Sequence, residues 1–432
     1  MLKKGLFMLG VTLLFEVSQI SAAFGAAYEG GGLGTRALSM AGAFIGEASD
    51  WTAVYWNPAG LAQLKGRGIG SSFEYVPLSG SDGNSLANPF PPLMNADQGD
   101  IFFQFPHPTT GDRTEPLSFN EKDIDVTVYL PGLGGYTPFK GLVVAGAVYV
   151  PLGYSSEWKD AVAENTISAS YQVETYEIVY NLSVSREVMS NLSLGAGLNL
   201  LQGKYERHAR KKTPLYTYNF DMDGDGIGLE GVLGIWYKIR PYLALGGVYR
   251  SGGELSFDGK AKMGHSLVDV VPDESSDYTQ KFKHPATYGL GLAFRPIPSL
   301  TLTTDWVRTD WSKQRKDIDF DQPDQTFLKD KDERSDWEDT DRFRVGLEYR
   351  VNNRWSLRGG FFVDPSPVPD KAVSLTNLVD VDRNFYTLGA GLDLNNWQLN
   401  LGYVRADGDR EINGVLYERD SYGFQTTCVY QF

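Results

Sequence analysis

The 432-residue chain holds a single cysteine, Cys428, and only four histidines. One thiol cannot close an internal disulfide, so no disulfide framework is expected. His107, His208, His265 and His284 stand at no metal-ligand spacing and near no cysteine cluster, so no metal site is expected either. Long apolar runs are also missing. Beyond the first residues the longest, Leu142 to Tyr154, is interrupted by Pro151 and several glycines and cannot cross a bilayer as a helix. The chain has no surplus of positive charge; its net charge is −14, which argues against a nucleic-acid partner. No local pattern pairs a nucleophile with a base, and none marks a cofactor, so the residues do not read as an enzyme. Asp221, Asp223, Asp225 and Gly226 echo the opening of a calcium loop. Val232 stands where the bidentate Glu belongs, which leaves a solvated acidic loop as the expectation.

The N-terminus carries Lys3 and Lys4, an apolar run from Gly5 to Phe15, and then Ser21-Ala22-Ala23, which reads as a secretory signal peptide over residues 1–23. Downstream, the chain is acidic on average yet 13% aromatic and rich in glycine. An alternation of faces reconciles the two. Phe343, Val345, Leu347, Tyr349 and Val351 alternate with Arg342, Arg344, Gly346, Glu348 and Arg350, and Leu399, Leu401 and Tyr403 alternate with Gln398, Asn400 and Gly402. Strands with one apolar and one polar face suit a soluble sandwich as well as a membrane barrel.

The connections separate those two folds. Tight turns are expected at Pro138 to Gly141, Met189 to Asn191, Arg240-Pro241, Pro296 to Ser299, Asn352-Asn353 and Asn395-Asn396. Between them lie long polar stretches, roughly Lys211 to Gly226, Asp258 to Gln280, Lys313 to Asp341 and Asp364 to Asp380. Short turns at one end and long loops at the other are the outer-membrane barrel pattern. With a first strand near Gly68 to Val76 and a last near Tyr417 to Phe432, the chain is predicted to be all-β: a transmembrane antiparallel barrel of about fourteen strands, residues 66–432. The last strand places Tyr422, Phe424, Thr426, Cys428, Tyr430 and Phe432 on one face. Its terminal aromatic resembles the mark read by the barrel-assembly machinery, which is therefore an expected partner.

A segment of different character, residues 24–65, precedes the barrel. It contains Gly30-Gly31-Gly32, the run Gly34 to Phe44, and Ala53-Val54-Tyr55-Trp56-Asn57-Pro58-Ala59-Gly60-Leu61. This segment strongly resembles the hatch of the long-chain fatty acid transporter family (FadL/TodX type), in which a short N-terminal domain plugs a fourteen-stranded barrel. Further matches run along the chain: Val150 to Gly153, Phe294-Arg295-Pro296, Trp306 to Trp311, Arg358 to Phe361 and Ser366 to Asp370. The resemblance implies a multi-pass protein of the bacterial outer membrane, set in its lipid, for passive uptake of hydrophobic small molecules. Long-chain fatty acids are the first expectation, aromatic or other hydrocarbons the second. A surface-binding or membrane-anchored enzyme barrel is the alternative of another class, disfavoured by the glycine-rich plug.

Three groups of residues are candidates for function. In the hatch, Pro58 fixes its own φ and pushes Asn57 toward an extended conformation, while the Asn57 side chain can bond nearby backbone donors, so Asn57, Pro58, Ala59 and Gly60 should form a rigid turn that braces the plug. Phe24 is expected to touch an internal apolar pocket, and the resemblance suggests that ligand displaces this end. In the third strand, Pro151 should break pairing with one neighbour and Gly153 should let the kink turn inward. The matching strand of the family opens a lateral gap there. At the extracellular mouth, Phe90, Leu93, Met94, Phe102 and Phe103, with Met263, Leu267 and Val268 of a later loop, hold more apolar surface than a solvated loop normally carries and are expected to form a capture groove.

Overall fold

The alternating stretches fold as hairpins, with tight turns where the sequence places them. A computed structural model describes residues 31–82, 122–163, 167–212, 217–266, 273–322, 325, 328–334, 336–370, 380–412 and 415–432. Seventeen strands form one antiparallel sheet. In chain order they are β1 (Gly68–Asp82), β2 (Lys122–Phe139), β3 (Leu142–Ala163), β4 (Ile167–Met189), β5 (Leu192–Lys212), β6 (Thr217–Arg240), β7 (Leu243–His265), β8 (Glu274–Lys283) and β9 (Thr287–Ile297). Then come β10 (Leu300–Thr309), β11 (Arg315–Phe320), β12 (Lys331–Arg334), β13 (Thr340–Arg350), β14 (Trp355–Asp364), β15 (Arg383–Leu394), β16 (Trp397–Ile412) and β17 (Val415–Gln431).

Pairing of β1 with both β2 and β17 closes the ring. Three strands, β8, β11 and β12, sit above it, leaving fourteen in the barrel: β7 pairs with β9, β9 with β10, and β10 with β13. The three extra strands are the upper pieces of barrel strands broken at one level. His284-Pro285-Ala286 separates β8 from β9, and a 3₁₀ turn at Trp311–Lys313 separates β10 from β11. In the turn joining β2 to β3, Lys140 (φ 49°) and Gly141 (φ 79°) both take the left-handed conformation that matches a type I′ hairpin to strand twist.

The lower barrel is inside out relative to a soluble protein. On β13, Phe343 is 63% exposed and Val345 50%, whereas Arg344 is 5% and Glu348 3% exposed. An outward apolar band with a polar interior is the arrangement of a barrel that meets lipid. Aromatic residues gather near the short-turn end of that band, among them Tyr349, Trp355, Trp397 and Phe432.

Two of the four long polar stretches prove to be largely strand. The β5–β6 ladder runs up to Lys212 opposite Thr217, and β7 reaches His265, so Lys211 to Gly226 and Asp258 to Gln280 are mostly paired rather than looped. At 24 residues, β6 extends about 80 Å, well beyond an apolar band of about 25 Å. Above the band the faces exchange character. Asp221, Asp223 and Asp225 point outward, while Phe220 and Met222 join Phe257, Met263, Tyr278 and Phe320 in a buried apolar cluster. The acidic residues expected on a loop therefore belong to the outer face of a strand. Outward polar groups also pair across strands, as His208 Nδ1 does with Asp221 Oδ1 at 2.7 Å. Average polarity along the chain suggested loops because the alternation persists while its sense reverses.

Candidate functional site: the lumen and its N-terminal segment

Residues 31–64 touch strands all around the ring, which only a segment inside it can do. A Cβ added at Gly70, Gly134, Gly195, Gly246, Gly346 or Gly389 would collide with this segment at between 2.0 and 2.5 Å. The glycine-studded inner wall is thus cut to admit it. Phe44, Trp51, Ala53, Val54 and Leu61 are buried against the wall, giving the segment an apolar core of its own.

Asn57 is extended (φ −164°, ψ 103°) as its place before Pro58 requires, and its Oδ1 accepts from Ala59 N at 3.1 Å. The chain then winds a short 3₁₀ helix over Pro58–Gln63 rather than a plain turn, because Pro58 is pre-set for a first helical position and Asn57 caps it. Asn57 Nδ2 donates to the carbonyls of Ile45 and Ile235, each at 3.0 Å, tying the segment to β6. Ser185 Oγ of β4 donates to Ala59 O at 3.1 Å. A side chain at Gly60 would meet Ala48 O at 2.1 Å, so the close approach there requires glycine.

Charged groups hold the opposite side. Asp305 on β10 accepts from the backbone N–H groups of Phe44 (2.7 Å) and Ile45 (2.8 Å). Arg36 donates two bonds to Glu348 on β13, at 2.9 and 3.0 Å, and Arg358 on β14 donates to the same carboxylate at 2.7 Å. Glu47 bridges Arg36 and Arg295. Below this cluster lies a polar chamber of about 620 Å³, open at the short-turn end and lined by Arg36, Glu348, Arg350, Asn352, Ser356 and Arg358.

Above the segment is a smaller cavity of about 120 Å³ with a mixed lining. Tyr55, Trp56, Tyr149, Val179 and Trp311 supply apolar surface; Arg250, Arg342, Arg344, Glu177 and Glu230 supply charge. Most of these charges are matched. Asn199 Nδ2 donates to Glu230 at 2.6 Å, Arg250 also reaches Glu230, at 3.3 Å, and Glu177 faces His284 at 3.1 Å. Arg342 donates to Asp364 at 2.6 Å. Arg344 is different. Its guanidinium lies over the rings of Trp56 (5.5 Å) and Phe362 (4.9 Å), meets the carbonyls of Ala41 and Gly42 only at 3.5 Å, and leaves Nε without a hydrogen-bond partner among the described residues.

Pro151 lines this cavity. The β2–β3 ladder ends at Gly132 opposite Tyr149, immediately before Val150-Pro151, although both strands continue: β2 pairs with β1 down to Lys122, and β3 with β4 up to Ala163. The β3–β4 register also slips between Tyr149 and Leu152, and Gly153 pairs with Tyr176 just beyond. Pro131 of β2 stands at the same break. Extending the register would set it opposite Val150, so prolines bound the gap from both strands. Phe24, Phe90, Leu93, Met94, Phe102, Phe103, Leu267 and Val268 lie outside the described residues; Met263 belongs to the buried apolar cluster of the upper wall.

Sequence reasoning missed Arg344, Asp305, Glu348 and Pro131. The first three stood in plain view on inward-facing positions of alternating strands, but their partners lie hundreds of residues away.

Comparison with known proteins agrees with this architecture. Residues 16–410 match the model of the outer membrane protein transport protein family (OMPP1/FadL/TodX). A long-chain fatty acid transport protein of Escherichia coli O6:H1 is 24% identical over 308 residues, covering 63% of this chain and 68% of the relative. A FadL homologue of Pseudomonas aeruginosa superposes with a TM-score of 0.73 at 16% identity, over 95% of this chain and all of that one. The Pseudomonas putida toluene transporter TodX superposes at 0.65 with 14% identity, over 94% and 100% of the two chains. The match spans most of the chain and both superpositions reproduce its fold, so the protein is an outer-membrane transport protein, not an enzyme, and belongs to the OMPP1/FadL/TodX family.

Proposed function

We propose that the protein carries long-chain fatty acids, or apolar acids like them, across the outer membrane without energy input or covalent chemistry. Ligand is captured at the mouth by Phe90, Leu93, Met94, Phe102, Phe103, Leu267 and Val268, and passes into the cavity above the N-terminal segment. That segment, with Phe24 at its start, serves as the hatch. Ligand then leaves sideways between β2 and β3 into the membrane. Phe432 directs assembly of the barrel into outer-membrane lipid.

The observation that carries this reading is the end of the β2–β3 ladder at the level of the cavity, with Pro151 on both the lining and the break. The downward route meets the buried Arg36–Glu348–Arg358 cluster and the polar chamber below it. Exposing an alkyl chain to such surroundings forfeits about 0.8 kcal/mol per methylene, which a sideways exit into hydrocarbon avoids. An acid is favoured over a neutral hydrocarbon by Arg344, a cavity-lining guanidinium with no ion pair and with its buried Nε unpartnered among the described residues, which a carboxylate would complement. A second reading, uptake of aromatic hydrocarbons, has support of its own. The cavity's rings suit an aromatic ligand, and its volume is close to that of engineered apolar cavities that take up benzene, about 150 Å³.

Uptake of oleate and of toluene, measured in parallel, tests both. Arg344→Leu is expected to cut oleate uptake about tenfold and leave toluene uptake unchanged; unaffected oleate uptake would favour the hydrocarbon reading. Replacing Pro151 and Gly153 together with Val should block whichever ligand is carried, and normal transport by the folded double variant would refute lateral exit. Deleting Phe24 to Glu29 should alter uptake while the barrel still assembles; unchanged uptake would leave the segment a structural part only.

A further inference from the structure

The two ends of the barrel treat charge differently. At the upper end, outward cations stand among outward carboxylates. Lys204 pairs with Glu206 and Lys260 with Asp277, and Asp221, Asp223, Asp225 and Asp258 share the face with Arg210, Lys212, Lys262 and Lys281, which form no ion pair among the described residues. At the short-turn rim that balance is missing. Lys65 and Arg67 precede β1, Lys140 sits in the β2–β3 turn, Arg186 at the foot of β4, Arg240 at the end of β6 and Arg354 beside Trp355. All six are exposed, and none forms an ion pair among the described residues. Among the described residues, exposed carboxylate side chains at this rim number two, Glu187 and Asp393. In a chain of net charge −14, a cationic rim reverses the overall balance.

Its position is as informative as its sign. Lys140 lies 5.2 Å from the centre of the Phe139 ring, and that ring is 55% exposed at the lower edge of the apolar band. Arg186 continues the outward row of Leu182 and Val184 and stands opposite Leu194, which is also exposed on the outer face. These cations therefore adjoin the lipid-facing surface. Short turns are periplasmic in such barrels, so the rim lies at the headgroups of the inner leaflet.

We propose that this rim binds the phosphates of anionic phospholipids in the periplasmic leaflet. Two observations identify the occupant: the cations continue the lipid-facing band directly, and they lack carboxylate partners within the protein. A phosphate beside Arg or Lys forms charge-assisted hydrogen bonds while the acyl chains pack on the aromatic girdle above. An acidic periplasmic protein would instead require a contiguous patch on one side of the barrel, whereas these residues are spread from β1 to β14.

The test is native mass spectrometry of the full-length barrel in detergent with equimolar dioleoylphosphatidylglycerol and dioleoylphosphatidylcholine. Wild-type protein should retain the anionic phosphatidylglycerol preferentially, and the preference should fall about fivefold or more in a triple Lys140→Gln, Arg186→Gln, Arg354→Gln variant. The same count on Lys260→Gln with Lys262→Gln, at the upper end, should match wild type. Should the triple variant not fold, raising salt on the wild-type barrel reads the same interaction, and the preference should fall steeply. Equal retention of the two lipids by wild type, or a preference that survives both the triple substitution and high salt, overturns the proposal. So does loss of preference in the upper-end variant alone.

Discussion

Two walls of the barrel face each other across the lumen, seven strands apart in the ring, and they hold the N-terminal segment by different means. At β13 and its neighbours the contact is ionic and directional: Glu348 takes Arg36 and Arg358 together, and Asp305 gathers the Phe44 and Ile45 amides. At β2 and β3 it is a matter of shape. Trp51 presses on Gly134, and Tyr55 meets Tyr149 edge-on with ring centres 5.7 Å apart. On this second side the ladder between two strands that both run on stops, whereas the breaks at His284-Pro285-Ala286 and Trp311–Lys313 on the first side separate barrel strands from their own upper pieces. The segment is thus held by charge on one side and merely packed beside the β2–β3 break on the other, so displacement toward ligand should begin on the β2–β3 side.

The largest effect should follow from breaking the anchor. Glu348 neutralises two buried guanidinium groups, and Glu348→Ala would leave Arg358 without its carboxylate and Arg36 with only Glu47 and Asp50. Loss of one partner in a buried charged cluster costs about 3–5 kcal/mol. Heat-induced unfolding on gels should fall accordingly, with faster hydrogen exchange in residues 35–50. If the barrel keeps its stability and the segment its protection, the anchoring wall has been misidentified.

Asp305→Asn is milder, since Phe44 and Ile45 both donate to Oδ2, which the amide oxygen can replace, while the negative charge is lost and a buried NH₂ group takes the place of Oδ1, unpartnered among the described residues. Leaving one buried donor unsatisfied costs about 1–3 kcal/mol. Exchange should accelerate at the Phe44 and Ile45 amides specifically, with the β2–β3 side unaffected. Uniform acceleration around the ring would mean that the two walls are not independent.

Much of this architecture was legible in the sequence. The six turns, the ring of fourteen and the place where Pro151 interrupts pairing follow from period-two patterning and from proline's missing N–H. Height above the membrane was harder to read, because β5 to β7 keep alternating while apolar and charged residues exchange faces, and a window spanning that exchange averages to polar loop. The anchors were least visible. A lone Asp305 or Arg344 on an inward face looks like any lumen-facing polar residue until Phe44 or Trp56, some 260 to 290 positions earlier, is placed beside it.

The smallest effect on stability should carry the clearest effect on flux. Val150 is 8% exposed and Leu130 7%, and both belong, with Val76, to one apolar cluster at the break between β2 and β3. With the backbone ladder ended there, apolar side chains rather than hydrogen bonds separate lumen from lipid. Val150→Ala removes about two methylenes' worth of buried surface, a cost of about 1–2 kcal/mol that the surroundings partly relieve by closing in. Stability should therefore change little compared with Glu348→Ala. The opening, however, widens where an alkyl chain would leave, so uptake should rise, and more for bulky ligands than for slender ones. Val150→Ile should do the reverse at similar stability. Uptake that follows stability across Glu348→Ala, Val150→Ala and Val150→Ile alike would remove the distinction between a holding wall and a releasing one, whereas opposite changes in the two Val150 variants would assign release to the β2–β3 break.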